Sequence, residues 1–192
     1  MKQRVTRERG QRFDARKIQW LKRRKEPGRI NIWGAIGFNY KSPLVFVDGQ
    51  GKNSAFLQAD YTAQVLEPHM LDILRDFEAI CNDEPLLMED GNAAHGLKFM
   101  RNAPALWKAK HKIALLDWAF NSADMNPIEQ IWRIMKQNLR KRRAEIKTLA
   151  QYHIAIQEEW DAIPLSKINE LIAEMEKRVD TLYDRFGDVT GF

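Results

Sequence analysis

The sequence predicts an α/β layer fold that ends in a helical tail. Branched and aromatic residues concentrate in 30–38, which is predicted to be one buried strand, and in 44–47, a second strand. Turn residues follow each segment, as is typical of a β-hairpin. Apolar residues then recur at helical spacing over 60–80. Strong helical patterns also cover 127–143, 149–162 and 168–186. Strands that alternate with helices and then give way to helices alone indicate an α/β architecture.

Finer features refine this outline. The apolar face of the 60–80 helix is expected to include Tyr61, Val65 and Leu71. Pro68 should kink or restart that helix, because proline has no backbone N–H to donate. The remaining patterns predict strands at 85–88 and 112–116, a helix within 96–109 and a loop at 117–127.

Length and composition favour one soluble globular domain. We divide the 192 residues into a basic segment 1–29, a core 30–143 and a helical tail 144–192. The longest apolar runs are only a few residues, so a membrane span and a secretory leader are not expected. The single cysteine, Cys81, cannot form an internal disulfide, which suits a reducing compartment.

Positive charge is concentrated in two places. Residues 1–29 hold twelve Lys and Arg against three acids, a net charge of +9 in a chain of +5 overall. A second cluster begins at Lys136. Such clusters fit a polyanion, but charge alone leaves a solvated face or a localisation signal open. The DNA-binding candidates are Lys22, Arg23, Arg24, Lys25, Lys136, Arg140, Lys141, Arg142 and Arg143.

Two acidic residues stand at positions that rigid elements would hold. Asp90 follows the apolar run 85–88 and precedes Gly91, where a strand end could project it into a cleft. Glu129 falls three positions after Asn126, a good N-cap, with Pro127 at the first helical position. Each also has a purely structural interpretation. An acid before glycine is common in turns, and the Asn126–Glu129 spacing fits a capping box.

The order of these motifs resembles the mariner/pogo superfamily of DDE transposases. The run LLMEDGNAAHGLK at 86–98 places His95 five positions after Asp90, as in that family. The run DWAFNSADMNPIEQIW at 117–132 matches the family motif that ends in its third acid, here Glu129. Trp33 and Gly34 also resemble the Trp-Gly strand of the family.

The resemblance implies a fold, a chemistry and a partner. It implies a ribonuclease H-like mixed sheet with flanking helices, and DNA cleavage and strand transfer in cut-and-paste transposition. Three carboxylates would hold two Mg²⁺ or Mn²⁺ ions, and Asp90 and Glu129 would be catalytic metal ligands. His95 and Asn126 would support the site. Double-stranded DNA, both transposon ends and target, would be the partner; a homodimer is left open, and no membrane contact is expected.

Three departures from the family pattern accompany the resemblance. Ala93 and Ala123 stand where the family usually has proline, and both should mainly loosen a loop. The first catalytic strand and its Asp are expected before residue 1, and Asp14, in a basic stretch, is not a substitute. Without that strand, its neighbours should expose unpaired backbone. We therefore expect the chain alone to be a poorly stable monomer with little or no transposase activity.

Other functions stay open at this point. The chain could be a domesticated, non-catalytic DNA-binding or assembly module that uses its basic clusters. A different ribonuclease H-like nuclease is a further alternative, and a preference for RNA–DNA hybrids would indicate it. The runs at 21–25 and 140–143 favour a nuclear location if the source is eukaryotic, and a cytoplasmic one otherwise.

Overall fold

The computed structural model describes residues 30–96, 101–117 and 125–184. These residues form a mixed α/β structure that is mostly helical, with two small antiparallel sheets. None of the helices in these ranges is long and apolar enough to cross a membrane. The described strands are β1 Asn31–Trp33, β2 Ile36–Gly37, β3 Tyr40–Lys41 and β4 Val45–Val47. The described helices are α1 Gln58–Tyr61, α2 Leu71–Cys81, α3 Ala103–Lys110, α4 Pro127–Lys141, α5 Leu149–Asp161 and α6 Leu165–Asp184.

The predicted hairpin is confirmed, but its first segment is not one buried strand. β1 pairs with β4 and β2 with β3, both antiparallel. Between β1 and β2 the chain bends, and the Ser42 hydroxyl accepts the N–H of Ala35 at 2.9 Å while the Ser42 N–H donates to the Ala35 carbonyl, also at 2.9 Å. These local bonds replace ladder bonds, so the segment divides into two short strands. Both strands are half-buried, because their second face lines a cavity.

The predicted helix at 60–80 forms, and Pro68 changes its winding without ending it. Residues Thr62–Met70 are π-helical and join α1 to α2. The wider turn accommodates the missing N–H and the bulk of the proline ring. It also shifts the register of the apolar face. Leu71, expected to be buried, is 39% exposed, whereas Met70 is fully buried.

The two predicted short strands at 85–88 and 112–116 meet at a single parallel bridge between Leu87 and Leu115. The Leu87 N–H donates to the Ala114 carbonyl at 2.9 Å, and the Leu116 N–H donates to the Leu87 carbonyl at 2.9 Å. The helix expected within 96–109 is α3, which begins at Ala103, after Asn102 caps it. Asp90 lies three residues after Leu87, so the bridge to Leu115 anchors the segment that carries Asp90.

The C-terminal helices pack against the hairpin. One hydrophobic core joins Leu44, next to β4, to the buried faces of α4, α5 and α6. A second core joins β4 to α1 and the π-helical segment. The first core fixes α4, which carries Glu129, and the second supports the segment that carries Asp90. The two cores thereby place the two predicted acids.

Candidate active site

Asp90 is held by a short loop that follows the Leu87 bridge. Its Oδ1 accepts the N–H of Asn92 at 3.0 Å and lies 2.8 Å from Nδ1 of His95. Asn92 in turn caps the 3₁₀ turn Ala93–His95, because its side chain accepts the N–H of Ala94 at 3.0 Å. This turn brings His95 back onto the carboxylate. The Asp-x4-His spacing therefore corresponds to a direct side-chain contact.

The Asp90 carboxylate remains partly open to the cleft. Its side chain is 35% exposed, and within the described residues its Oδ2 accepts no hydrogen bond. The hydrogen bond from His95 lowers the pKa of Asp90, with help from the Asn92 N–H, although burial opposes the shift. Asp90 is thus an ionised carboxylate at neutral pH with one oxygen available to a ligand.

The pKa of His95 is shifted in the opposite direction to that of Asp90. Burial of the imidazole is the largest single influence and disfavours its protonated form. The hydrogen bond to Asp90 and the negative charges of Glu89 and Asp90 together outweigh burial, so the pKa of His95 is raised above its usual 6.5. His95 is therefore poised to donate from Nδ1 to Asp90 and to hold that carboxylate in one orientation.

This pair gives a pH-dependent prediction. Because the pKa of His95 is raised in the folded state, its protonation stabilises the fold fully below about pH 6.5, and this stability is lost as pH rises through the folded pKa. In metal-free buffer, NMR titration of the imidazole should give a pKa above 6.5. Asp90→Asn should lower that pKa. The exposed Asp83→Asn should not, and equal effects of both variants would contradict the assignment.

A buried polar network that the sequence did not reveal lies beneath this pair. Glu89 is 7% exposed and accepts hydrogen bonds from Lys108 Nζ and from the Tyr61 hydroxyl. Lys108, 2% exposed, also donates to the His95 carbonyl at 2.9 Å. The Tyr61 ring lies 4.9 Å from that of His95. Burial and the charge of Glu89 raise the pKa of Tyr61, so its hydroxyl stays a donor.

Glu129 enters the site from the N-terminus of α4. Asn126 caps this helix as predicted, with Oδ1 accepting the Ile128 N–H at 3.2 Å. The reciprocal bond of a capping box is not formed, and the Glu129 carboxylate makes no hydrogen bond to another described residue. Its side chain is therefore free of the structural role that the sequence left open.

Burial is the main reason that the pKa of Glu129 is raised. The positive charges of Lys136 and Arg133 lower the pKa, and the negative charge of Asp90 raises it further. The two carboxylates are thus within electrostatic reach of each other. A cation between them would relieve this repulsion.

A single cavity of about 590 Å³ receives both acids. Most of its wall is apolar and comes from the hairpin, from α2 and from 85–88. The polar part of the lining comprises Glu89, Asp90, Asn92, His95, Asn126 and Glu129. In the described part of the chain, no group of three or more His, Cys, Asp or Glu side chains is arranged to hold a metal ion.

The structure divides the predicted DNA-binding residues into three sets. Lys22, Arg23, Arg24 and Lys25 lie outside the described residues, as do residues 118–124 of the 117–132 motif. Lys136, Arg140, Lys141 and Arg143 are exposed near or at the end of α4. Arg142 instead forms ion pairs with Glu158 and Glu159 on α5.

Fold and site together define a mixed α/β domain whose cleft presents two carboxylates from separate elements. Comparison with known proteins adds a family. The chain is 26% identical over 166 residues to the transposable element Tcb2 transposase of Caenorhabditis briggsae, covering 86% of this chain and 55% of that protein. It is 28% identical over 176 residues to the Tc3 transposase of Caenorhabditis elegans, covering 86% and 50%. The Tc1 transposase of the same organism is 26% identical over 166 residues, covering 86% and 55%.

These similarities confirm the resemblance drawn from the motifs: the chain is related to the Tc1/mariner-type transposases. No protein-family model matches the chain. The chain spans about half the length of the curated relatives it matches.

Proposed function

We propose that this chain contributes the second and third acidic residues of a metal-dependent DNA cleavage and strand-transfer site in a DDE-type transposase. The observation that carries the proposal is the convergence of Asp90 and Glu129 on one cavity from two separate elements. The relatives, named as transposases, supply the reaction class. Asp90 and Glu129 are the proposed catalytic metal ligands.

The two carboxylates fit a hard divalent cation. Mg²⁺ is commonly held by one or two carboxylates and keeps waters or substrate phosphate oxygens in its other positions. Among the described residues, Oδ2 of Asp90 accepts no hydrogen bond, and the Glu129 carboxylate has no hydrogen-bond partner. Asp90 also raises the pKa of Glu129, the mark of like charges sharing a cleft that a cation would neutralise.

The residues of the chain would orient the two carboxylates and exclude water from around them. His95 holds Asp90 through the 2.8 Å contact, and the N-cap of α4 fixes the backbone from which Glu129 projects. The apolar wall from the hairpin and 85–88 limits water around the acids. When bound, Mg²⁺ would polarise a phosphoryl oxygen and ease deprotonation of an attacking water or hydroxyl.

The ribonuclease H-like fold is part of the same proposal. In the described residues, β2 pairs only with β3, and the Leu87 segment bridges only Leu115. Both segments face the cavity. We infer that a further strand bearing the first carboxylate, from outside the described residues, would occupy this space and complete a two-ion site.

Metal binding tests the proposal directly. Mn²⁺ added to the isotope-labelled chain should broaden NMR signals around Asp90 and Glu129 before others. Asp90→Asn or Glu129→Gln should weaken Mn²⁺ affinity on the order of tenfold or more. Asp83→Asn and Glu84→Gln, which remove exposed acids, are the matched controls. Broadening of signals away from the cleft, or an equal loss of Mn²⁺ affinity in the control variants, would contradict the proposal. Little or no cleavage of labelled duplex DNA is expected from the chain alone.

The second candidate is a non-catalytic DNA-binding or assembly module. The observation that favours it is that one of the three carboxylates lining the described cleft, Glu89, is already paired with Lys108, which leaves Asp90 and Glu129 as the available ligands. For such a module, salt-sensitive DNA binding should survive the combined Asp90→Asn and Glu129→Gln substitutions, and the cleft should show no preference for Mn²⁺.

A further inference from the structure

The exposed face of α4 carries an aligned set of cations. Ile131, Met135 and Leu139 are buried on the inner face of the helix and belong to the main core. Arg133, Lys136 and Arg140 are exposed at spacings of three and four residues, so they follow one another along the outer face. We call these three residues the α4 basic strip.

The α4 basic strip begins beside the proposed metal ligand. Its three cations, with Glu129 and Gln137, line one shallow depression of about 210 Å³ on the surface of the helix. Glu129 also lines the large cavity that receives Asp90. One carboxylate therefore joins the cavity to the strip, and a ligand on the strip would lead into the cleft.

The side chains of the α4 basic strip are available to bind a ligand. Within the described ranges, none of its three side chains forms an ion pair or a side-chain hydrogen bond. Neighbouring cations differ: Arg142 pairs with Glu158 and with Glu159, the latter at 3.1 Å, and Lys141 donates to the side-chain Oδ1 of Asn138 at 3.2 Å. Three cations on one helix face repel one another, and Glu129 is a single negative charge beside them, so a polyanion would relieve the remaining repulsion.

We propose that the α4 basic strip binds the phosphate backbone of duplex DNA, with one strand running along α4 into the cleft of Asp90 and Glu129. Seven residues of α-helix rise about 10 Å. Two base-pair steps, which join three successive phosphates of one DNA strand, rise about 7 Å along the duplex axis. The strip can therefore contact up to about three successive phosphates. This inference rests on the proposed function for its destination, the cleft, but not for its DNA contacts.

The proposal assigns DNA contacts differently from the charge pattern of the sequence. It retains Lys136 and Arg140, adds Arg133, and does not include Lys141, Arg142 and Arg143. The guanidinium of Arg142 is occupied by two glutamates. Gln137, within the same depression, can donate its amide to a phosphate oxygen.

Salt-dependent DNA binding by the full chain, measured in EDTA, tests the strip. The variant is Arg133→Gln/Lys136→Gln/Arg140→Gln, and glutamine keeps the helix propensity of these positions. Fluorescence anisotropy of a labelled duplex between 50 and 200 mM NaCl should show a slope of log K against log salt that is smaller by about 2–3, since each phosphate contact contributes about 0.9. Affinity at 100 mM should fall tenfold or more. Each single variant should reduce the slope by about 0.9.

The control carries the same loss of charge on other elements. Lys52→Gln/Lys110→Gln/Lys177→Gln removes three exposed cations, and it should leave slope and affinity near those of the unchanged chain. Arg142→Gln should do the same. If the strip variant and the control bind alike, the inference is wrong.

The same variants separate this inference from the proposed function. If the strip variant loses DNA affinity while Mn²⁺ does not bind preferentially at the cleft, DNA binding by the α4 basic strip is supported and the proposed metal site is wrong. If Mn²⁺ binds preferentially at the cleft while the strip variant binds DNA as the control does, the proposed metal site is supported and DNA binding by the α4 basic strip is wrong.

Discussion

Replacing Lys108 with methionine should lower the free energy of unfolding by about 3–5 kcal/mol, because truncating one partner of a buried ion pair leaves an uncompensated charge. The charge left behind is that of Glu89, 7% exposed beneath the proposed metal ligand. The variant also removes the 2.9 Å hydrogen bond to the His95 carbonyl. Urea denaturation followed by circular dichroism should show a lower midpoint with an unchanged slope.

Two further variants make the Lys108 prediction specific. Lys110→Met changes an exposed lysine on the same helix and should alter stability by no more than about 0.5 kcal/mol. Adding Glu89→Gln to Lys108→Met removes the stranded charge and keeps an acceptor for the Tyr61 hydroxyl. The double variant should therefore be more stable than Lys108→Met alone. A double variant whose loss equals the sum of the two single losses would show that the pair is not coupled.

Local patterns predicted the elements whose determinants lie close together in the chain. Asn126 and Pro127 predicted the start of α4, and the structure begins the helix at Pro127 with Asn126 as its cap. The hairpin followed equally from two apolar segments and a turn. Where a specific side-chain contact decides the local structure, the apolar pattern was insufficient. The bend between β1 and β2 depends on Ser42 reaching Ala35, and 30–38 was wrongly expected to be one buried strand.

The residues of the candidate site likewise include some that the sequence predicted and others that only the structure shows. Asp90, His95 and Glu129 were predicted because family motifs mark them, and the structure brings Asp90 into contact with His95 and into one cavity with Glu129. Lys108 had no signal, since a lysine on a short helix, here between Trp107 and Ala109, is usually solvated. Its burial follows from Glu89, nineteen positions away. Glu89 had a weak signal: side chains alternate along an extended segment, so the neighbour of Asp90 can turn towards the core while still lining the cavity.

A long-range contact links α5 to the hairpin and packs against α4, the helix that carries Glu129. Trp160, on α5 and 1% exposed, donates from its indole N–H to the Ser42 carbonyl at 3.0 Å. Its ring stacks on Trp132 of α4 with centroids 5.2 Å apart. A Cβ added to Gly34 would lie 2.9 Å from the Trp160 ring, so this glycine lets the hairpin approach. The indole thus joins the hairpin, α4 and α5.

Trp160→Ala should therefore destabilise the fold by about 3–5 kcal/mol, the cost of losing a buried tryptophan and leaving a cavity. It should also weaken Mn²⁺ binding at the cleft, since Trp132 and Glu129 share α4. Ile154→Ala on the same helix is the control; Ile154 is 59% exposed, and its loss should change stability by no more than about 0.5 kcal/mol. Chemical denaturation measures the first effect and Mn²⁺ titration under native conditions the second. If Trp160→Ala matches Ile154→Ala in both, α5 does not position α4, and the placement of Glu129 must come from the α4–α6 contact and the N-cap alone.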